Sequence, residues 1–502
     1  MITAPLFLMV LPLALAPVVY LLRRWALLAA SLASATALIM ASLCLGLTFD
    51  RPASVLGLEV VLGEPMMVLG REFTLELAGG LTVGFICLIA AIAFLFAWRV
   101  SQGGLFFPLG LIILSLLNAA VMIRHFLFAV LFLWIASIIA VFVVQGDRQG
   151  PSLRRVSKAA SGQATGPFDR RRPELAEGLS TSLRAGPGRG ALRYLVMVSL
   201  AVPPLLITPW LIDFQALNPD NLALLRYAAV LLAIGFAILL AVVPFHSWVS
   251  AVAADAPPVV AAFVLTMTNA VVLLLMLELL QSYAWLPENL QVFRLLRIGG
   301  LLMAALGGLL AFAQRDFGHL LGYAVLSDMG CTLVALGVAS PTALTAALLQ
   351  VAYRSVGLML TAMGLAVVHH RVGSDSFANL AGVARRLPLS TAGLVLGGLS
   401  LAGMPLTAGF PSRWAIYRLL SAPDLALVML LSGAGVAFGY LRGLSILLAP
   451  SPESNVKREP IIASLMILAM IVLCLGLGLR PQWLLPPIQR VVESFGFLAA
   501  QR

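Results

Sequence analysis

Charged residues are scarce in this 502-residue chain. Asp, Glu, Lys and Arg make up 11% of it, whereas soluble domains carry about 25%. Hydrophobic residues make up 61%, in runs that extend from one end to the other. These features exclude a soluble enzyme and a soluble domain with a single anchor. They predict an all-α polytopic membrane protein.

Cysteine and lysine are also scarce. The four cysteines lie in apolar runs without metal-ligand spacing or a disulfide framework, so we expect them to pack in the core. The two lysines, Lys158 and Lys457, lie outside these runs. The sequence has no nucleotide-binding loop, no metal cluster and no nucleophile beside a matched base. We therefore expect no cofactor, no metal and no catalytic centre, and we assign any redox chemistry to partners.

Long apolar runs are abundant instead. A run of about 20 apolar residues crosses a bilayer as one helix, and the sequence predicts about fourteen transmembrane helices, numbered here as spans 1–14. The first run lacks a basic start and a clear cleavage site, which indicates a helix rather than a removed signal peptide. The predicted bounds are 4–21, 26–48, 77–98, 105–122, 126–145, 194–212, 226–243, 258–279, 298–313, 320–338, 342–368, 388–410, 425–449 and 460–479.

Two spans contain helix-breaking residues. Span 7 is interrupted at Pro244 in LLAVVPFHSW, and span 12 at Gly403, Pro405 and Gly409 in LSLAGMPLTAGFPSRW. Proline lacks an N–H and clashes with the preceding turn, so each helix must break or kink. Two interrupted spans at corresponding places in two halves are typical of a repeat-built transporter with its pathway near the breaks.

The net charge of +11 is concentrated in loop 146–193, which has ten basic residues among Gly, Ser and Pro. Its composition predicts disorder. The loop either attaches to anionic lipid or an acidic partner, or is a solvated segment that helps to set topology.

The placement of Arg and Lys puts both termini outside, and no nucleic-acid partner is indicated. After Arg480, the tail predicts a short interfacial helix with Trp483 and Phe495 at the membrane surface.

Three stretches resemble a known family. VPFHSWVSAVAADAPPVVAAFVLTMTNA (Val243–Ala270), DFGHLLGYAVLSDMG (Asp316–Gly330) and SLAGMPLTAGFPSRW, followed by Tyr440-Leu441-Arg442, are similar to motifs of the antiporter-like membrane subunits of respiratory complex I, the NADH:quinone oxidoreductase. The N-type subunit (subunit 2 in mitochondria) matches best, and Mrp antiporters and membrane-bound hydrogenases are relatives. The resemblance extends from about residue 70 to 450. The matched positions of the first stretch are Pro244, Phe245, His246, Trp248, Ala256, Pro257, Val260, Ala262, Phe263 and Thr266.

The resemblance implies an architecture and a setting. It implies fourteen helices, with two inverted five-helix repeats (helices 4–8 and 9–13) and broken helices 7 and 12. The domains would be 1–100 (helices 1–3), 101–280 (first repeat, with loop 146–193), 281–450 (second repeat) and 451–502 (helix 14 and the tail). It also implies proton movement along buried ionisable residues, other membrane subunits and lipid as partners, and a bacterial plasma membrane.

The residues that the family uses for this movement are replaced. The acid of helix 5 falls among Trp134, Ile135 and Ala136, and the lysine of helix 7 falls on Leu239. The lysine of helix 8 falls on Asn269, the lysine after the second break on Arg413, and the histidine of helix 10 on Asp328. Leucine and asparagine do not titrate, and arginine stays charged at any working pH. A relay of the family's type is therefore predicted to be dismantled.

A few polar residues in the spans remain as candidates for a proton path or buried polar contacts. Arg354, midway in span 11, needs a buried partner, for which Asp328 is the first candidate and Glu278 the second. The pair is either a static staple between helices or part of a transport path. His246 either shuttles protons or is hydrogen-bonded at the break. The full candidate set is His246, Asn269, Glu278, Asp328, Arg354, Arg413 and Arg442, with the helix breaks at Pro244 and Pro405.

Three hypotheses follow. The first is a degenerate antiporter-like subunit, structural or coupling, in a complex I-like or hydrogenase-like assembly. The second is an active proton or cation channel or antiporter that uses Asp328, Glu278 and His246 as substitutes. The third is an unrelated solute carrier with a similar broken-helix plan.

Overall fold

The computed structural model describes residues 2–46, 53–55, 58–61, 65–68, 70–146, 188–218, 221–283, 285–286, 291–420, 422–450 and 457–496. These residues are overwhelmingly helical. Most of the predicted basic loop 146–193 lies outside the described residues. The short strands are β1 (Ile2–Thr3), β2 (Ala53–Val55), β3 (Leu58–Val61), β4 (Met66–Val68) and β5 (Arg71–Phe73), with β3 between β1 and β2, and β4 paired with β5.

Seventeen α-helices are found in the described part of the chain. The helices of the first half are α1 (Ala4–Leu21), α2 (Ala26–Gly46), α3 (Leu77–Ala97), α4 (Phe106–Met122), α5 (Phe126–Gln145), α6 (Arg189–Leu217), α7 (Leu222–Leu239), α8 (Ser247–Asp255) and α9 (Pro258–Ser282). The helices of the second half are α10 (Val292–Ala313), α11 (Phe317–Leu336), α12 (Pro341–Val372), α13 (Pro388–Ala402), α14 (Gly409–Leu419), α15 (Pro423–Leu448), α16 (Ile461–Leu479) and α17 (Leu485–Glu493).

The all-α polytopic membrane fold is confirmed. Eleven of the described helices are long and apolar enough to cross a membrane, and three shorter apolar helices, α4, α7 and α13, lie at predicted spans. The total of fourteen spans stays a prediction.

Both predicted helix breaks are present. Span 7 divides into α7 and α8, and span 12 into α13 and α14. At the first break the backbone leaves the helix at Ala241, which has a φ of 56°. At the second break it leaves at Gly403, which has a φ of 75°, a conformation that glycine adopts without steric cost.

Three helices form the centre of the molecule. In α9, α11 and α12 nearly every residue is buried, whereas α10, α15 and α16 expose many apolar side chains. A helix that is apolar on all sides is stable when it is covered by other helices. Polar side chains on α9, α11 and α12 are therefore held away from lipid.

The tail after Arg480 packs back onto this centre. It forms the helix α17, and the Tyr353 hydroxyl of α12 donates a hydrogen bond to the Pro481 carbonyl at 3.2 Å. Trp483 is exposed, whereas Phe495 is buried. The predicted place of Phe495 at the membrane surface is therefore wrong, because this side chain contributes to the protein core instead.

Candidate functional site

A cluster of buried charges lies where α9, α11, α12 and α14 meet. Its three charged members are among the most buried polar residues of the described chain, with exposed fractions of 0% for Asp328, 4% for Arg354 and 1% for Arg413. Four polar side chains surround them. The buried charge cluster consists of Asp328, Arg354 and Arg413 with Asn269, Thr332, Gln350 and Ser412.

Helical spacing brings these side chains together. Asp328 and Thr332 are four residues apart on α11, and Gln350 and Arg354 are four residues apart on α12, so each pair shares one helix face. Because the two faces oppose each other, two polar pairs meet within an otherwise apolar interface. The spacing in the sequence places the two members of each pair on one helix face, and helix packing brings the two pairs into contact.

Asp328 is the only acid of the cluster, and two guanidinium groups contact it. Nη2 of Arg413 lies 3.2 Å from Oδ1 of Asp328, and Nη1 of Arg354 lies 3.6 Å from Oδ2. The Gln350 amide also donates to Oδ1. Separating opposite charges in a dry interior costs several kcal/mol, so this carboxylate is held in one place.

Arg413 caps the first half of the broken helix. Its guanidinium donates to the carbonyl oxygens of Leu401 at 2.6 Å and Ala402 at 3.1 Å, at the C-terminal end of α13. Carbonyls at a helix C-terminus have no partner within the helix, and the helix dipole favours a cation there. Arg413 is therefore stabilised by α13 as well as by Asp328.

The cluster also joins elements that are distant in the chain. Arg354 of α12 donates to the side-chain oxygen of Asn269 on α9 and, at 3.3 Å, to Thr332 on α11. Ser412 of α14 donates to the Gln350 amide oxygen at 2.5 Å. The first break adjoins the cluster as well, since Leu240 at the end of α7 lines a narrow gap beside Asn269 and Arg354.

The chemistry of this cluster is that of fixed charges. Arginine does not release its proton in proteins, and asparagine, glutamine, serine and threonine do not titrate near neutral pH. Leu239, at the position of a family lysine, is buried and apolar. The arrangement stabilises packing between four helices and offers no second group that could accept a proton from Asp328.

Among the described residues, two other candidates make no side-chain hydrogen bond or ion pair with the cluster. Glu278 is about 13 Å further along α9 than Asn269, at 1.5 Å per residue, and its side chain is half-buried. No ion pair of the described residues joins it to Arg354, so Glu278 is not the partner of this arginine. His246 lies at the start of α8, and its buried Nδ1 atom has no hydrogen-bond partner among the described residues.

Arg442 also interacts with the end of a helix. It donates to the carbonyl oxygen of Gln314, the C-cap residue of α10, and lies over the rings of Phe312 and Phe377 at 5.9 and 5.7 Å. A cation at this position is stabilised by the helix dipole and by the aromatic faces.

Gln350, Ser412 and Thr332 were not identified from the sequence. Gln350 precedes Arg354 by one helical turn in an apolar span, and Thr332 follows Asp328 by one turn. That spacing was the signal available for both. Ser412 gave no comparable signal, since its contact with Gln350 depends on how α14 packs against α12.

We expect Gly403→Ala to destabilise the chain through Arg413. A Cβ atom at Gly403 would lie 2.2 Å from Cδ of Arg413, so the cap would have to move in addition to the strain of a positive φ. Overpacking of this kind costs about 1–3 kcal/mol. Gly373→Ala is the matched control, because Gly373 has a similar φ of 80° with nothing within 4 Å. The measurement is the thermal midpoint in detergent, and equal losses for both variants would contradict the clash.

The sequence model described as "NADH:quinone oxidoreductase/Mrp antiporter, TM" matches residues 209–439. NADH-quinone oxidoreductase subunit N 2 of Acidobacterium capsulatum is 30% identical over 291 residues, which are 55% of this chain and 58% of that protein. Subunit N of Cereibacter sphaeroides is 31% identical over 272 residues, 53% of this chain and 59% of that protein. The chain thus spans somewhat more than half the length of these curated relatives.

Solved structures match nearly the whole fold. A chain of respiratory complex I from Thermus thermophilus has a TM-score of 0.72 at 20% identity, covering 99% of both chains. A chain of the Mrp complex from Dietzia sp. has a TM-score of 0.75 at 16% identity, covering 98% of this chain and 97% of that one. The resemblance inferred from the motifs is confirmed: residues 209–439 match the NADH:quinone oxidoreductase/Mrp antiporter model, and the chain is similar to antiporter-like membrane subunits near subunit N.

Proposed function

We propose that this chain is a structural or coupling membrane subunit of a proton-translocating redox or antiporter-type assembly, and that it does not itself operate a proton relay. The observation that supports the proposal is the set of contacts made by the Asp328 carboxylate. It is the one acid of the buried charge cluster, and two permanently charged guanidinium groups and an amide contact it. A carboxylate held in this way stabilises packing rather than passing protons.

The relatives support the setting of the proposal. Curated relatives are subunits of bacterial NADH-quinone oxidoreductases, and solved structures of similar fold come from multisubunit membrane complexes. We therefore propose that other membrane subunits and lipid surround this chain in a bacterial plasma membrane. Electron transfer would occur in those partners. We also propose the division into two five-helix units, with the contact between Arg354 and Asn269 connecting them.

Purification from native membranes in mild detergent tests the assembly. We expect the chain to migrate as part of a larger complex, with partner subunits identified by mass spectrometry. A stable monomer under conditions that preserve other membrane complexes would contradict the proposal.

A second candidate function is a proton or cation path through substitute residues. Two observations favour it: the unpartnered Nδ1 of His246 and the half-buried carboxyl of Glu278. The distance of Glu278 from the buried charge cluster is against it, because proton transfer requires groups within hydrogen-bonding reach, directly or through water.

Proton flux separates the two functions. We expect Glu278→Gln and His246→Gln to leave the flux of the complex in proteoliposomes unchanged, because neither residue belongs to a connected set of titratable groups. Glu493→Gln, which alters an exposed acid of α17, is the control for reconstitution. A strong loss of flux in either test variant, with normal assembly, would favour the substitute path.

A further inference from the structure

The break between α13 and α14 leaves three non-helical residues exposed where the first half of the helix ends. α13 has 15 residues, which at 1.5 Å per residue span about 22 Å, less than the roughly 30 Å of the hydrocarbon core. α13 is therefore shorter than a full membrane crossing. Met404, Pro405 and Leu406 are all exposed at this point, and Leu406 has an exposed fraction of 63%.

The backbone N–H of Leu406 has no hydrogen-bond partner among the described residues. Its neighbours are bonded: the N–H of Met404 donates to Leu399 at 3.0 Å, and that of Thr407 donates to Met404 at 3.3 Å. Leu406 itself has a φ of 71°, a left-handed conformation that leucine rarely adopts. An unpaired N–H is unfavourable in contact with lipid, so irregular backbone in a membrane is found where protein or a water-filled cavity covers it.

The helix that follows presents an apolar and aromatic face with one cation. Phe410, Trp414 and Arg418 are spaced by four residues on α14 and so lie along one face. The rings of Phe410 and Trp414 stack with centroids 6.2 Å apart, and Trp414 has an exposed fraction of 52%. Arg418 is exposed, and no ion pair of the described residues involves it. Trp and Arg are the residues most enriched among those that contribute strongly to protein interfaces.

We propose that Leu406, Phe410, Trp414 and Arg418, together the break-12 face, bind a transmembrane helix of a neighbouring subunit. That helix would carry a hydrogen-bond acceptor opposite the N–H of Leu406, an apolar surface against Phe410 and Trp414, and an acidic side chain at the level of Arg418. Lipid tails can cover the aromatic rings but have no acceptor for the N–H. The inference rests on the proposed function, since it assigns a surface to the partner.

Site-specific photo-crosslinking in native membranes tests this surface. Leu406→p-benzoylphenylalanine and Trp414→p-benzoylphenylalanine place the probe on the break-12 face. Leu309 on α10 and Leu431 on α15, exposed by 67% and 62%, give matched controls on other apolar surfaces. After irradiation, we expect probes at Leu406 and Trp414 to form an adduct with another membrane subunit, detected as an increase in the mass of the chain. Probes at the control positions are expected to form no such adduct.

Several results would overturn the inference. Adducts with lipid alone, with a second copy of this chain, or equally from the control positions would each do so. Rapid labelling of Leu406→Cys by a membrane-impermeant thiol reagent would show a water-filled cavity instead. The four native cysteines are buried, so they give little background. If only the control positions form adducts, the assembly exists and this surface is wrong; if no position does and the chain purifies as a monomer, the proposed function fails as well.

Discussion

Asp328→Asn is expected to cause one of the two largest losses of stability in this chain. The exchange keeps the size of the side chain but leaves Arg354 and Arg413 buried without their counter-ion, at distances of 3.6 and 3.2 Å from it. Removing one member of a buried ion pair costs about 3–5 kcal/mol, and here one acid serves two cations. The thermal midpoint of the purified protein, with its partners retained, and its amount in the membrane measure the effect.

Asp424→Asn is the matched control. Asp424 is exposed in the first turn of α15, and exchanges at such positions change stability by about 0.5 kcal/mol or less. Similar midpoints for Asp328→Asn and the control would show that the carboxylate is not ionised in the cluster, or that water reaches it.

The double variant Asp328→Asn/Arg354→Gln separates electrostatics from packing. If the carboxylate compensates Arg354, the second exchange removes a charge that the first has left unpaired, so the combined loss is smaller than the sum. Contacting residues in one network show interaction energies of about 0.5–3 kcal/mol. Strictly additive losses would mean that the two side chains act independently, which would contradict the ion pair between Asp328 and Arg354.

The sequence predicts the scaffold of this site better than its contacts. Pro244 and Pro405 act within one helical turn, because a proline removes a hydrogen bond of its own helix. The sequence alone therefore predicts both breaks. The pairing of Arg354 depends on helix packing, and the sequence left both Asp328 and Glu278 open as its partner.

The cap formed by Arg413 could not be derived from spacing. It requires that the chain turn at Gly403 and return, so that α14 brings Arg413 back to the carbonyls of Leu401 and Ala402. In the sequence, Arg413 stands where the resembled family has a lysine, and the visible consequence is that arginine does not titrate. The structure adds a second consequence of the exchange, because a guanidinium donates to several acceptors at once whereas an ammonium acts as a point charge.

Arg413→Met is expected to have an effect as large as that of Asp328→Asn. Methionine fills similar apolar volume but removes the cap of α13 and one of the two cations that contact Asp328. The loss combines unpaired carbonyls in a dry site, at about 1–3 kcal/mol each, with part of the ion-pair cost of about 3–5 kcal/mol. Arg386→Met, an exposed arginine between α12 and α13, is the control for the general effect of the exchange.

Arg413→Lys distinguishes the cap from the charge. Lysine keeps the positive charge near Asp328, but its single ammonium group cannot reproduce the fork in which Nη1 donates to Ala402 while Nη2 donates to Leu401 and Asp328. We expect a thermal midpoint between those of the native protein and Arg413→Met. A midpoint equal to the native one would show that charge alone is required. A midpoint equal to that of Arg413→Met would show that capping of α13 is the dominant contribution, and that the break depends on the guanidinium geometry for its stability.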